Sequence, residues 1–122
     1  MKTKMKRILI IEDEPDVAES IKMFLKTEGY EAEYALDARD GVKKLKEFDL
    51  LLLDLIMPKM SGRAVLKEIE KRRMKIPTIV LSAVGLPIII GEELQRDYPG
   101  LIFIQKTELY SELIPAIKSL LK

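Results

Sequence analysis

The sequence contains no cysteine and no histidine. Without cysteine there is no disulfide framework, no zinc–thiolate site and no thiol nucleophile. Without histidine the most frequent general base, the Ser–His–Asp triad and imidazole metal ligands all fall away. Any chemistry is left to carboxylates, lysines, hydroxyls and hard cations. An excess of one charge is lacking too: 21 basic against 20 acidic residues leave a formal net charge of +1, so the balance calls for neither a nucleic acid nor an acidic membrane surface. The local basic runs, Lys2, Lys4, Lys6 and Arg7, then Lys71, Arg72, Arg73 and Lys75, carry no interleaved aromatics and read as solvated surface. No apolar run approaches a membrane span. The opening "MKTKMKRILIIEDE" has an apolar stretch too short for a signal-peptide core. The expectation is a cytoplasmic protein with no direct nucleic-acid binding and no membrane insertion.

What is present is the material of one domain, 122 residues of which 48% are hydrophobic. Short apolar runs alternate with amphipathic stretches. "RILII" (7–11) and "LLLLD" (50–54) are continuous and apolar, as central parallel strands are. "YEAEYA" (30–35) alternates and reads as an edge strand. "PTIVLS" (77–82) and "LIFIQK" (101–106) complete the strand set. Between them, Pro15 suits the first turn of a helix that places Val17, Ala18, Ile21, Phe24 and Leu25 on one face and stops at Gly29. Asp37 caps a short helix running to about Lys46. "GRAVLKEIEKRR" (62–73) and "ELIPAIKSLL" (112–121) are further helices, Pro115 marking a start or a kink in the last. Such alternation predicts a single α/β domain over residues 1–122, a parallel sheet covered on both faces.

In open parallel sheets, ligands bind beyond the carboxyl ends of the strands. At those ends stand Glu12, Asp13 and Glu14, then Asp54, Ser82 and Lys106. Carboxylates on adjacent strand ends repel and raise one another's pKa unless a cation bridges them. Mg²⁺ suits such a place, because it takes oxygen ligands from one or two carboxylates together with phosphate and water. A carboxylate can also act as a nucleophile toward phosphorus. Asp54 as phosphoryl acceptor, Glu12 and Asp13 on magnesium, and Lys106 and Ser82 on phosphate oxygens make one consistent assembly.

The runs "ILIIEDEP" (8–15), "LLLLDLIMPKMSG" (50–62), "TIVLSA" (78–83) and "FIQK" (103–106) resemble, in order and spacing, the receiver domain of two-component response regulators, in its stand-alone CheY-like form. The likeness covers essentially the whole chain. It implies a flavodoxin-like, doubly wound, five-stranded parallel sheet of order 2-1-3-4-5 with helices on both faces. It implies that Asp54, presented partly exposed at the end of its strand, takes a phosphoryl group from the phosphohistidine of a sensor histidine kinase or phosphotransfer protein. Mg²⁺ would lie on Glu12, Asp13, Asp54 and the backbone carbonyl of Ile56. Ser82 and Lys106 take the family's hydroxyl and lysine positions, and Phe103 that of an aromatic which turns inward as Ser82 closes on phosphate. Such a protein is a signalling switch that catalyses only its own phosphorylation and slow dephosphorylation. It acts through protein contact or onward phosphorelay on a target the sequence does not name, as a monomer or a phosphorylation-dependent dimer, with no output domain attached.

Three departures from the family pattern carry expectations. Thr107 follows Lys106 where proline is common, and a cis bond there would cost about 3–4 kcal/mol, so a trans bond is expected. Ile56 and Val84, each two residues beyond a site residue, stand where the family admits the hydrolytic water, so a long-lived phosphoryl group is expected. "VGLPIIIGEELQRDYPG" (84–100) is poor helix material. The fourth helix is therefore expected to be irregular or shortened, beginning only near Gly91 or Glu92, and its apolar residues pack inside or form a partner patch. Two other readings use the same residues: a degenerate receiver that binds partners without phosphorylation, and a Mg²⁺-dependent phosphohydrolase. Against the second, Ile56 stands where phosphohydrolases of the aspartyl-phosphate type place a second aspartate.

Overall fold

The computed structural model describes residues 5–55, 62–82 and 88–121, with backbone alone at 88–91. Strands and helices alternate: β1 (Arg7–Ile11), α1 (Pro15–Thr27), β2 (Glu31–Ala35), α2 (Ala38–Lys44), β3 (Leu50–Asp54), α3 (Gly62–Lys71), β4 (Thr78–Ser82), α4 (Ile88–Asp97), β5 (Ile102–Gln105) and α5 (Leu109–Leu120). Single 3₁₀ turns, Leu45–Glu47 and Lys106–Glu108, precede β3 and α5. The five strands form one sheet in the order β2-β1-β3-β4-β5, every neighbouring pair parallel. Among the described residues no helix is long and apolar enough to cross a membrane.

The leucine run of β3 is continuous because the strand is buried on both sides. Leu51 and Leu53 join Leu9, Ile11 and Val80 under α2, α3 and Leu94 of α4. Leu50 and Leu52 join Ile8, Ile10, Ile79 and Leu81 under α1 and α5. Successive side chains of a strand point to opposite faces, so one strand supplies both cores. β2 lies at the edge with Glu31 and Glu33 outward and Ala32 and Ala35 inward. Arg7, at the amino end of β1, ties this edge down. Its guanidinium reaches Glu31 at 3.2 Å and Glu33 at 3.1 Å, donates to the Glu47 carbonyl at 2.7 Å and stacks 4.7 Å from the Phe48 ring centre. Its backbone N–H donates to Asp49 Oδ2 at 2.8 Å.

Local signals account for the ends of α1 and the start of α2. Pro15 opens α1, and Gly29 takes the positive φ of 93° that ends it. Asp37 accepts from the Asp40 amide at 2.8 Å and caps α2. Two helices differ from expectation. α4 begins at Ile88 and runs through Gly91 for ten residues, as long as α3. A glycine inside a helix costs only about 1 kcal/mol relative to alanine, less than the gain from seating a side chain such as Leu94, which is fully buried. α5 begins three residues before the expected start and holds Pro115 inside it. Leu109, Leu113 and Ile117 fall at i, i+4 and i+8 and are all buried, while Pro115 lies on the outer face. That buried stripe outweighs one missing helical hydrogen bond.

Candidate functional site

The register of the sheet assembles the site. Ile11 pairs with Leu53, so Glu12 and Asp54, each one residue further, emerge side by side. Asp54 pairs with Leu81, which puts Ser82 one row beyond it. Ser82 pairs with Gln105, which puts Lys106 two rows beyond Asp54. Two rows are roughly 6–7 Å of strand rise, a gap that a lysine side chain can span. Lys106 Nζ accordingly reaches back to Glu12 Oε2 at 3.0 Å and Asp54 Oδ2 at 3.3 Å. Strand parity puts Glu12, Asp54 and Lys106 on the side of the sheet covered by α1 and α5. Ser82 and Phe103 have the opposite parity. Phe103 is half-buried against the core under α2, α3 and α4.

The acids are deeper than a strand end suggests. Glu12 has no exposed surface and Asp54 is 3% exposed. The expectation of a partly exposed Asp54 is thus corrected, because the cover of flanking elements is not a property of the strand itself. Asp13 is half-buried and the most open of the three. Burial, chiefly, pushes the Glu12 carboxyl up to about 7. The hydrogen bond and charge of Lys106 oppose that rise, and the negative Asp54 adds to it. Mutual repulsion of the acids is therefore the lesser cause of the shift. For Lys106, burial works to lower the pKa, but the bonds and charges of Glu12 and Asp54 prevail and hold the ammonium above its ordinary value.

Glu12, Asp13 and Asp54 each offer one oxygen, all within 4.8 Å of one another. Glu12 Oε1 accepts from the Glu14 amide at 3.3 Å. Its Oε2 is buried and faces the Lys106 ammonium at 3.0 Å. Three carboxylate oxygens converging within 4.8 Å, two of the carboxylates buried, fit a hard divalent cation. The bond from Lys106 to Thr107 is trans, and the lysine reaches both carboxylates without a proline behind it. Helix α3 enters tightly against this site. The Gly62 amide donates to the Leu55 carbonyl at 2.9 Å, and a Cβ on Gly62 would lie 2.8 Å from the Asp54 carbonyl oxygen. Ile56 and Val84 lie outside the described residues.

Comparison with known proteins agrees with this arrangement. The family model described as response regulator receiver domain matches residues 8–118. The chain is 34% identical over 121 residues to a transcriptional regulatory protein CpxR homolog of Haemophilus influenzae, covering 97% of this chain and 51% of that protein. It is 39% identical over 79 residues to the transcriptional regulatory protein DltR of Streptococcus agalactiae, covering 63% of this chain and 35% of that protein. The chain therefore spans between about a third and a half of the curated relatives it matches. Among solved structures, a CheY-like receiver domain protein from Methanospirillum hungatei superposes with a TM-score of 0.79 at 31% identity, covering 95% of this chain and 93% of that one. A fold of order 2-1-3-4-5, acids at the ends of β1 and β3 with a lysine beyond β5, and a family match over nearly the whole length lead to one conclusion: the chain belongs to the response regulator receiver family.

Proposed function

We propose that this receiver is the phosphoacceptor switch of a two-component system, with Asp54 as the acceptor. The observation that carries the reading is the contact of one ammonium with two buried carboxylates, Glu12 at 3.0 Å and Asp54 at 3.3 Å. An Asp54 carboxylate oxygen attacks the phosphorus of a phosphohistidine on a sensor kinase or phosphotransfer protein. The P–N bond breaks, its electron pair stays on the imidazole nitrogen, and an acyl phosphate forms on Asp54. Glu12, Asp13, Asp54 and the backbone carbonyl of Ile56 would hold Mg²⁺, which when bound offsets the negative charge that gathers on the transferring group. Lys106 moves its hydrogen bond from the Asp54 carboxylate to a phosphoryl oxygen. The Ser82 hydroxyl takes another, and Phe103 turns inward with it. The protein works in the cytoplasm, and output follows from contact of the altered surface with a downstream protein or from onward transfer of the phosphoryl group.

The test is intact mass after incubation with acetyl phosphate and Mg²⁺, on the native chain and on Asp54→Ala. The native chain gains one phosphoryl group, the variant gains none, and chelation of the metal abolishes the gain. With apolar residues at positions 56 and 84 of the sequence, two beyond Asp54 and Ser82, the phosphoryl group is expected to persist on removal of donor, and loss within seconds contradicts that part of the reading. Absence of both phosphoryl gain and Mg²⁺-dependent beryllofluoride binding in the native chain overturns the switch and leaves a phosphorylation-independent binding module.

A further inference from the structure

At the opposite end of the sheet from Asp54, a cleft of about 620 Å³ opens between the carboxyl-terminal halves of α3 and α4. It lies beside the amino end of β4 and the turn into β5, a full strand length away from the acids. Its volume falls within the range of about 300–1,000 Å³ usual for small-molecule sites. Leu66, Ile69, Met74, Ile76 and Leu101 make an apolar floor. Nearby backbone groups are already satisfied: Thr78 Oγ1 donates to the Ile76 carbonyl at 3.0 Å, and Gln95 Nε2 donates to the carbonyls of Pro99 at 3.2 Å and Leu101 at 3.3 Å. These bonds tie the turns at Ile76 and Pro99–Leu101 that border the cleft.

Its rim carries charge of defined position. The Tyr98 hydroxyl, from the end of α4, donates to Glu70 Oε2 on α3 at 3.1 Å. This bond ties the exposed Glu70 carboxylate to Tyr98 at the rim, and among the described residues Glu70 has no ion-pair partner. Asp97 also lines the cleft, with a loose contact of 3.9 Å from the neighbouring, exposed Arg96. Lys75 also lines the cleft, but it is exposed and nothing among the described residues pins it, so its flexible stem can swing into water. Arg63, whose charge also reaches Tyr98, is engaged by Glu93 at 3.0 Å. Among the described charged residues that line the cleft, the one held by a side-chain hydrogen bond, Glu70, is negative.

We propose that this cleft is a binding site for a small organic cation, an apolar body carrying an amine. The apolar part covers Leu66, Ile69 and Leu101, and the ammonium lies on the Glu70 carboxylate with Asp97 in support. The site does not depend on the chemistry at Asp54. It offers the switch a second input, since α3 starts on the carbonyl of Leu55, one residue after Asp54, and α4 follows the strand that ends in Ser82.

The experiment is a titration of the full chain, followed by amide and methyl NMR shifts. The probes are three compounds of one shape: phenethylamine, phenethyl alcohol and 3-phenylpropanoate. Shifts are expected at Leu66, Ile69, Tyr98 and Leu101, with the amine binding about tenfold more tightly than the carboxylate and the alcohol in between. Glu70→Gln, an exposed position whose variant keeps the native spectrum elsewhere, lowers amine affinity to that of the alcohol. Equal affinity for all three, or preference for the carboxylate, overturns the proposal, as does unchanged amine binding in Glu70→Gln. Absence of shifts in the cleft also overturns it. So does a concentration-dependent dimer that protects these residues, which would assign the cleft to a second copy of the chain.

Discussion

The two ends of β1 carry the same kind of chemistry, a cation among carboxylates, and the structure treats them in opposite ways. At the amino end Arg7 meets Glu31 and Glu33, whose side chains are 54% and 51% exposed. Water screens those charges, and a carboxylate there gives up little hydration to make its pair. At the carboxyl end Lys106 meets Glu12 and Asp54, whose side chains are 0% and 5% exposed. There the desolvation cost is large, and burial raises the Glu12 carboxyl to about 7. The first cluster fastens an edge strand. The second holds an unfavourable arrangement of buried carboxylates that a divalent cation would relieve. Burial, rather than charge count, separates a structural ion pair from a candidate reactive one.

The largest effect should come from removing the cation where it matters most. Lys106→Met leaves Glu12 and Asp54 buried without an ammonium, and in metal-free buffer at pH 8 urea unfolding should report a loss of about 3 kcal/mol. Saturating Mg²⁺ should recover part of it. A cost under about 1 kcal/mol would erase the distinction between the two ends.

The next effect is a pH dependence. The Glu12 carboxyl rises from 4.5 in the unfolded chain to about 7 in the fold, so between those values the folded state binds the extra proton. Its contribution to stability is fully present below about pH 4.5 and is lost as the pH rises through about 7. Glu12→Gln removes this slope. The metal-free variant should gain stability over the native chain as the pH rises from 5 to 8, while Mg²⁺ stabilises it less. A native chain with a flat stability profile across that window would contradict the buried position of this carboxyl.

How much of this was legible in the sequence follows the same division. The strands were legible because Leu50 to Leu53 can be continuously apolar only in a strand covered on both faces. Asp37 was legible as a cap because its chemistry is local. The starts of α4 and α5 were not, because Gly91 and Pro115 are local breakers that the burial of Leu94, Leu109 and Leu113 overrides. Within the site, Glu12, Asp13, Asp54 and Lys106 could be found as polar residues at strand ends. Their depth could not, since the cover over Asp54 comes from elements distant in sequence. The reach of Lys106 depends on a two-row offset that only the strand register reveals. The cleft between α3 and α4 was invisible for the same reason: Glu70 and Tyr98 are 28 residues apart, and neither belongs to a motif.

The smallest effect belongs to the exposed end. Arg7→Met removes two carboxylate contacts, the bond to the Glu47 carbonyl and the stacking on Phe48, yet keeps an apolar stem on the ring. Exposed pairs contribute about 0.2–1 kcal/mol and a hydrogen bond about 1, so the net loss should be about 1–1.5 kcal/mol by urea unfolding. Two further readings make the contrast quantitative. The difference between Arg7→Met and the native chain should shrink in about 1 M salt, where charges separated by more than about 3 Å of solvent are screened, whereas the Lys106→Met difference should persist because its partners are out of water. Between pH 6 and 9 the Arg7→Met difference should also stay constant. If instead Arg7→Met costs as much as Lys106→Met and resists salt, the amino end is as desolvated as the carboxyl end, and burial no longer explains why only one of them has the makings of a reactive site.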